Sequence, residues 1–521
     1  MMLLKKLPVS LSVNIFFHHK TKCMNPKKII VTSKAALRLK YAGQFPSINA
    51  MLKKLKVADK KKKIDTLIVY IDDAASAKAA GIKPVTGVTP NQCKRAIDDL
   101  YKKHLPAYIA IVGAQDVIPF QSLVNPASDD GDDFVPSDLP YACDAGYSTS
   151  ISAFTGPTRV VGRIPDIPES NDAQYLKTLI QNSINSKPQK RVNYENYFAV
   201  TASVWTKSTQ QSLQSMFGNF SSLKIAPPAG KKYTAAQLKV MTHFYNCHGA
   251  HNDINFYGQK GNSYPVAFTS SQASGTITKA TVVAAECCYG AELVAASLLP
   301  DPTDISIANN YLKNNAIAFL GSSTIAYGPA DGQGLADLIT QYFIKNVLDG
   351  ASCGRALLQA RQQFLTESGP QLDPYELKTV AQFHLLGDPS VQAVIDDNDT
   401  KAITSDTVAN RRMKFAQKGA DLKKNLATAQ KQKTAVKSKH STQINQLLKQ
   451  AGISGTDKTA VFNVKAKVTG GTGAGKKLAE QDTKFRTFTK ITSAKKFDNV
   501  QVLVVKESKE QLLGWKIYVR K

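Results

Sequence analysis

Two apolar runs in this chain end in chemically reactive residues, and that pairing constrains the fold more than any other feature. His243-Phe-Tyr-Asn-Cys-His-Gly-Ala250 and Thr281-Val-Val-Ala-Ala-Glu-Cys-Cys-Tyr-Gly-Ala291 each pass from a strand-like stretch into histidine or cysteine and then glycine. Continuous apolar runs mark strands buried on both faces of a parallel sheet, and functional groups collect at the carboxyl ends of such strands. Thiol chemistry needs a nucleophile, a histidine to take and return its proton, and N–H donors for an oxyanion. His248 and a neighbouring cysteine supply the first two. Gly249 has no Cβ, so a carbonyl can approach its main chain and its N–H can serve as a donor. Cys287 and Cys288 compete for the nucleophile, and the small-Cys-x-Gly pattern around Cys288, Tyr289 and Gly290 favours Cys288.

Elsewhere apolar runs alternate with helix-period segments, the pattern of a mostly parallel sheet covered by helices. Strands are expected at Ile64 to Ile71, Tyr108 to Val112, Tyr197 to Ala202, Val240 to Cys247, Val282 to Cys287 and Ala316 to Leu320. Thr89 followed by Pro90 predicts an N-cap and first helical turn, with the helix running through Leu100. Further helices are expected from Asp172 to Ile184, Leu335 to Val347 and Gly354 to Phe364. Strand alternation puts Glu286 on the same face as Cys288, where it either shapes a pocket or ends the strand as a solvated charge.

With these residues in hand, the chain resembles the gingipain-type cysteine peptidases of the caspase and legumain clan, which carry a His-Gly and a small-Cys pair after successive hydrophobic strands. Tyr108-Ile-Ala-Ile-Val-Gly-Ala-Gln-Asp-Val-Ile-Pro-Phe120, Pro136-Ser-Asp-Leu-Pro-Tyr141, Val161-Gly-Arg-Ile-Pro165, Ala316-Ile-Ala-Phe-Leu-Gly-Ser322 and Phe383-His-Leu-Leu-Gly-Asp-Pro389 look like family landmarks in family order. The resemblance implies a caspase-like α/β fold and a cysteine endopeptidase acting on protein or peptide substrates. Cys288 would be the nucleophile and His248 the general base, with the N–H groups of Gly249 and Cys288 holding the oxyanion. Cys287 departs from the family pattern, which usually has a small apolar residue there. Basic-specific relatives place an acid in the pocket from a segment like Ser137-Asp-Leu-Pro-Tyr141, so Asp138 is the expected pocket carboxylate for a basic residue before the cut. Against that stands a plain turn-capping role for Asp138.

Other chemistries are weaker. His243, Cys247, His248, His251 and Asp253 are zinc-type ligands, but no Cys-x-x-Cys pair or His-Glu-x-x-His helix accompanies them. Neither metal nor cofactor is expected. Asp129-Asp-Gly-Asp-Asp133 reads as a solvated acidic turn rather than a cation loop, lacking full EF-hand spacing. Gly470-Gly-Thr-Gly-Ala-Gly-Lys476 matches a phosphate-binding loop except that Lys477 stands where Ser or Thr would hold magnesium, so a hairpin loop is expected.

At 521 residues the chain is long enough for two or three domains. Its seven cysteines are odd in number and scattered, which does not suggest a disulfide framework. Residues 1–23 mimic a signal peptide but offer no small-x-small cleavage site, so they are expected as an extension outside the fold, with Met1 and Met24 both open as the start. A cytoplasmic protein is expected, with secretion the alternative. Charge is unevenly spread. From Lys401 to Lys521 there are 27 Lys and Arg against 8 Asp and Glu, a net +19 of the whole-chain +27. Such a tail is either a solvated appendage or an attractor of an anionic partner, whether nucleic acid, membrane surface or acidic protein. The expected organisation is an α/β peptidase domain over 24–396, a linker over 397–408 and a small basic α+β module over 409–521. Two other classes stay open: an inactive caspase-like scaffold, and a nucleic-acid-associated protein acting through the basic module.

Overall fold

The computed structural model describes residues 25–127, 130–230, 232–329, 331–395, 405–433, 436–464, 483–493 and 497–521. The 1–23 extension and Met24, Asp129, most of the 397–408 linker and the glycine-rich stretch Gly470 to Lys477 lie outside the described residues.

Ten strands form the central sheet. Their order is Asp65–Tyr70, Lys27–Thr32, Tyr108–Val112, Val161–Ile164, Phe383–Leu386, Ala318–Ser322, Val282–Ala285, Thr242–Asn246, Tyr197–Ala202 and Leu223–Ala226. Every neighbouring pair is parallel except Ala318–Ser322 against Phe383–Leu386. The sheet therefore consists of two parallel halves running in opposite senses, joined at that pair. Its strands read as apolar runs because helices cover both faces. Alternation sorts their side chains: Val283, Ala285 and Cys287 pack into one core, while Val282, Ala284 and Cys288 pack into the other.

The helices begin where their caps direct. Thr89 Oγ1 accepts from the Gln92 N–H ahead of Pro90–His104, and Asp172 caps Ala173–Asn185. Leu335–Leu348 and Cys353–Glu367 cover the second core. Among the described residues, no helix is long and apolar enough to cross a membrane.

Beyond residue 404 come the helix Ser405–Asn425, the strand Ala427–Lys431, the helix Ser441–Gln450, and the strands Lys458–Val464, Thr483–Thr492, Asn499–Glu507 and Leu512–Arg520. These five strands form an antiparallel sheet capped at each end by a short strand from the earlier part of the chain, Gln371–Leu372 at one edge and Tyr327–Gly328 at the other. A solvated appendage is not what results. Val500, Val502 and Val504 belong to the same core as Ala318 and Phe343, whereas Leu503 and Val505 face Ile444 and Ile453 on the outer side. The period-two pattern of this strand buries both faces, one against the central fold and one against the helix Ser441–Gln450.

The acidic turn also differs from expectation. Asp130 is buried and Asp132 half-buried, with the Lys378 ammonium between them; Lys378 Nζ lies 2.9 Å from Asp132 and also pairs with Asp130. Tyr289 donates to Asp132 Oδ1 at 2.6 Å, so one side of this turn buttresses the residue after Cys288 while Gly131 and Asp133 stay exposed.

Candidate active site

The strand Thr242–Asn246 delivers His248 and the strand Val282–Ala285 delivers Cys288, side by side in parallel register. A Cβ on Gly249 would collide with the Cys288 carbonyl, so the two strand ends approach as closely as a bare glycine allows.

His248 is 4% exposed and enclosed by aromatic rings, with Trp205 at 4.4 Å, Tyr264 at 5.1 Å and Phe497 stacked at 5.4 Å. Its Nε2 lies 2.7 Å from Gln259 Oε1. The Gln259 amide nitrogen donates to the Gly261 carbonyl at 3.0 Å, which orients its oxygen toward the ring. Nε2 therefore carries the hydrogen, and Nδ1, buried and without a hydrogen-bond partner, keeps its lone pair. Burial pushes the His248 pKa down to about 4, with Gln259 working the other way and the Arg520 and Lys521 charges adding to the drop.

Cys288 Sγ accepts from the Ala326 N–H at 3.2 Å and meets the main-chain oxygen of Lys521. Burial raises its pKa, against the pull of the Arg520 guanidinium. Cys287 points the opposite way, into the other core beside Cys247, and burial raises its pKa well above the ordinary thiol range. Cys288, and not Cys287, thus lies on the side that holds the Lys521 main-chain oxygen.

Lys521 fills a closed pocket between the sheet and the first turn of the helix Leu335–Leu348. Its Nζ donates to Asp337 Oδ1 at 2.7 Å, Asn246 Oδ1 at 3.0 Å and Glu286 Oε2 at 3.2 Å, and lies 5.1 Å from the Trp205 ring centre. Three acceptors meet the three N–H bonds of one ammonium. Burial opposes the Lys521 charge, but Asp337 and Glu286 outweigh it and raise its pKa. Burial, and then Asp337, push Glu286 well above the usual carboxylate range even with Lys521 opposing. Gly328 forms the pocket wall: a Cβ there would come within 2.8 Å of Asp337 Oδ2 and run into the Lys521 side chain. The Lys521 main chain continues the pairing, its N–H donating to the Ala326 carbonyl at 2.9 Å while Arg520 and Val519 lie opposite Tyr327 and Gly328.

Asp138 requires a correction. Its carboxylate is buried and held from two sides by Arg163, Nη2 at 2.6 Å and Nε at 2.9 Å. Arg163 also donates to the Gly113 and Ile118 carbonyls, so Asp138 neutralises a core guanidinium and does not reach the cleft. Nor does it cap the turn, a part taken by Ser137 Oγ, which accepts from the Leu139 N–H at 3.0 Å. Glu286 is the site acid that alternation places beside Cys288. Asn246, Gln259, Gly328 and Asp337 were not anticipated. Asn246 had a signal, standing two residues before His248; the other three come from a loop, a short strand and a helix with no local mark. The zinc-type residues disperse, since His243 lies in the other core against the Tyr311 hydroxyl at 2.7 Å and His251 pairs with Glu292. Among the described residues no three His, Cys, Asp or Glu side chains converge as a metal site.

Comparison with known proteins bears on the class of chemistry. No curated protein matches the sequence significantly. Among solved structures, the chain is similar to the Saccharomyces cerevisiae separase–securin complex, at 12% identity over 45% of this chain and 14% of that one, with a TM-score of 0.28, a likeness too slight to carry any argument. The family model for Peptidase family C25, by contrast, matches residues 24–394 and so spans both strand ends and the pocket. The chain belongs to Peptidase family C25, the gingipain family of cysteine peptidases.

Proposed function

We propose that this chain is a cysteine endopeptidase that cuts after a basic residue, lysine ahead of arginine. One observation carries the reading: a lysine lies extended along Ala326 to Gly328, its ammonium on Asn246, Glu286 and Asp337 and its main-chain oxygen against the Cys288 thiol. A substrate residue before the cut would take the same place. The Cys288 proton passes to His248 Nδ1 as the thiolate attacks the scissile carbonyl, and the oxyanion is held by the N–H groups of Gly249 and Cys288. His248 then protonates the departing amine as the C–N bond breaks. Water, deprotonated by the same nitrogen, attacks the thioester and releases the acid and Cys288. Gln259 replaces a third carboxylate in holding the imidazole tautomer. The pocket is closed around a compact ammonium, which suits lysine better than the longer planar guanidinium.

Fluorogenic peptides varying only in that residue test the reading. Lysine is expected to be cut fastest, then arginine, with leucine and aspartate at background. Cys288→Ala should abolish turnover and Cys287→Ala should keep most of it, while His248→Ala should lower kcat by about 10² to 10⁴. Turnover that survives Cys288→Ala, or a preference for acidic residues, would overturn the assignment.

A further inference from the structure

We infer that the strand Leu512–Arg520 and Lys521 form a tethered inhibitor that holds the cleft of this same chain closed in the manner of a bound substrate. The inference rests on the proposed reading of the pocket and adds the regulation of that site. Three independent contacts support it. First, the segment adds itself as an antiparallel strand to Tyr327–Gly328, the mode by which extended peptides dock on a sheet edge. Second, the fully buried Lys521 satisfies a pocket whose two carboxylates would otherwise face each other without a counter-charge. Third, the same module reaches the histidine: Phe497 stacks on the His248 ring, and Asn499 Oδ1 accepts from the Tyr264 hydroxyl at 2.6 Å and lies 3.4 Å from the Gln259 amide nitrogen.

Nucleophile, base and pocket are thus covered by one continuous piece of chain. The strand is anchored outside the cleft as well, by Tyr518 donating to Asp373 Oδ2 at 2.9 Å and Lys516 bonding Glu376 Oε1 at 2.5 Å. Because it is tethered, it competes at an effective concentration on the order of millimolar, which a free peptide must exceed or outlast. Burial beneath it keeps Cys288 a thiol and His248 neutral, so the covered state is unreactive as well as blocked. Withdrawal of the strand would restore solvent to both groups.

The test compares full-length wild type with Lys521→Ala and Lys521→Glu, each checked for an unchanged melting temperature. Alkylation of Cys288 by iodoacetamide, followed by peptide mapping, reads occupancy without needing hydrolysis. Losing the charge-assisted bonds of one ammonium should speed alkylation about 10- to 100-fold, and Lys521→Glu should speed it at least as much. An acetylated peptide with the sequence of residues 515–521, added to Lys521→Ala, should slow alkylation again, whereas the same peptide ending in alanine should not. Equal alkylation rates in all three chains would overturn the inference. Hydrolysis of a lysyl substrate, followed in the same samples, separates the two readings. Cys288-dependent hydrolysis that is equal in wild type and Lys521→Ala overturns the inhibitor and leaves the peptidase. Accelerated alkylation without hydrolysis upholds the plug and overturns the peptidase.

Discussion

At the scale of single residues, two adjacent cysteines differ because a strand turns successive side chains to opposite faces. That geometry was legible in the sequence, as was the placement of Glu286 on the Cys288 face. What Glu286 does there was not legible, since its partners Asp337 and Lys521 lie far along the chain. Their proximity gives a pH prediction. Burial and Asp337 hold the Glu286 pKa well above the usual carboxylate range, so the pocket of an open enzyme keeps a proton that an arriving ammonium must displace. Binding lysine favours the ionised form. KM for a lysyl substrate should therefore fall as pH rises through the raised Glu286 pKa, and climb again on acidification. A leucyl substrate should lack that dependence. Glu286→Gln should flatten the profile and weaken lysyl kcat/KM about 10- to 100-fold. A profile unchanged by Glu286→Gln would mean that Asp337 binds the ammonium without it.

At the scale of elements, strands and capped helices emerged where periodicity and caps said they would. Thr242–Asn246 and Val282–Ala285 are shorter than expected because the chain leaves the central ladder before His248 and Cys288; His248 pairs instead opposite Tyr257 in a small antiparallel sheet. Asp138 misled for a physical reason. Pro136 to Tyr141 and Val161 to Pro165 both look like landmarks, and they turn out to be partners through the buried Arg163 pair; an acid needed by the core reads the same, in sequence, as one needed by a pocket. The short strand Tyr327–Gly328 had no sequence signal, yet it carries the edge on which the extended segment docks. Its glycine sets the pocket depth. Gly328→Ala should keep the central fold while expelling the Lys521 side chain, which the added methyl would run into, and should cut kcat/KM for lysyl peptides by about tenfold or more. Circular dichroism and steady-state kinetics on one preparation would check both halves. Full lysyl activity in Gly328→Ala would place the side-chain pocket elsewhere.

At the scale of the whole molecule, the basic C-terminal charge left a solvated appendage and an attractor of an anionic partner both open, because composition cannot say where a charge points. Part of it is spent inside, Lys521 on Glu286 and Asp337 and Arg486 on Glu507, while the half-exposed Lys516 pairs with Glu376. The same region contributes Val502, Val504, Phe485 and Tyr518 to the core that also holds Leu320, Phe343 and Cys288. Regions that share one apolar core gain their burial together and lose it together. Calorimetry of the full chain should accordingly show a single cooperative transition spanning both regions. A chain ending at residue 395 should melt several degrees lower, because removing the module exposes apolar surface of the central fold. The transition also sets how the cleft can open. If unfolding is cooperative, whole-module departure is costly, and opening proceeds by local peeling of Val519 to Lys521 from Tyr327–Gly328. Hydrogen exchange would then show the Lys521 and Val519 amides exchanging far faster than those of Val502 and Val504. Two well-separated transitions would mean instead that the module undocks as a body.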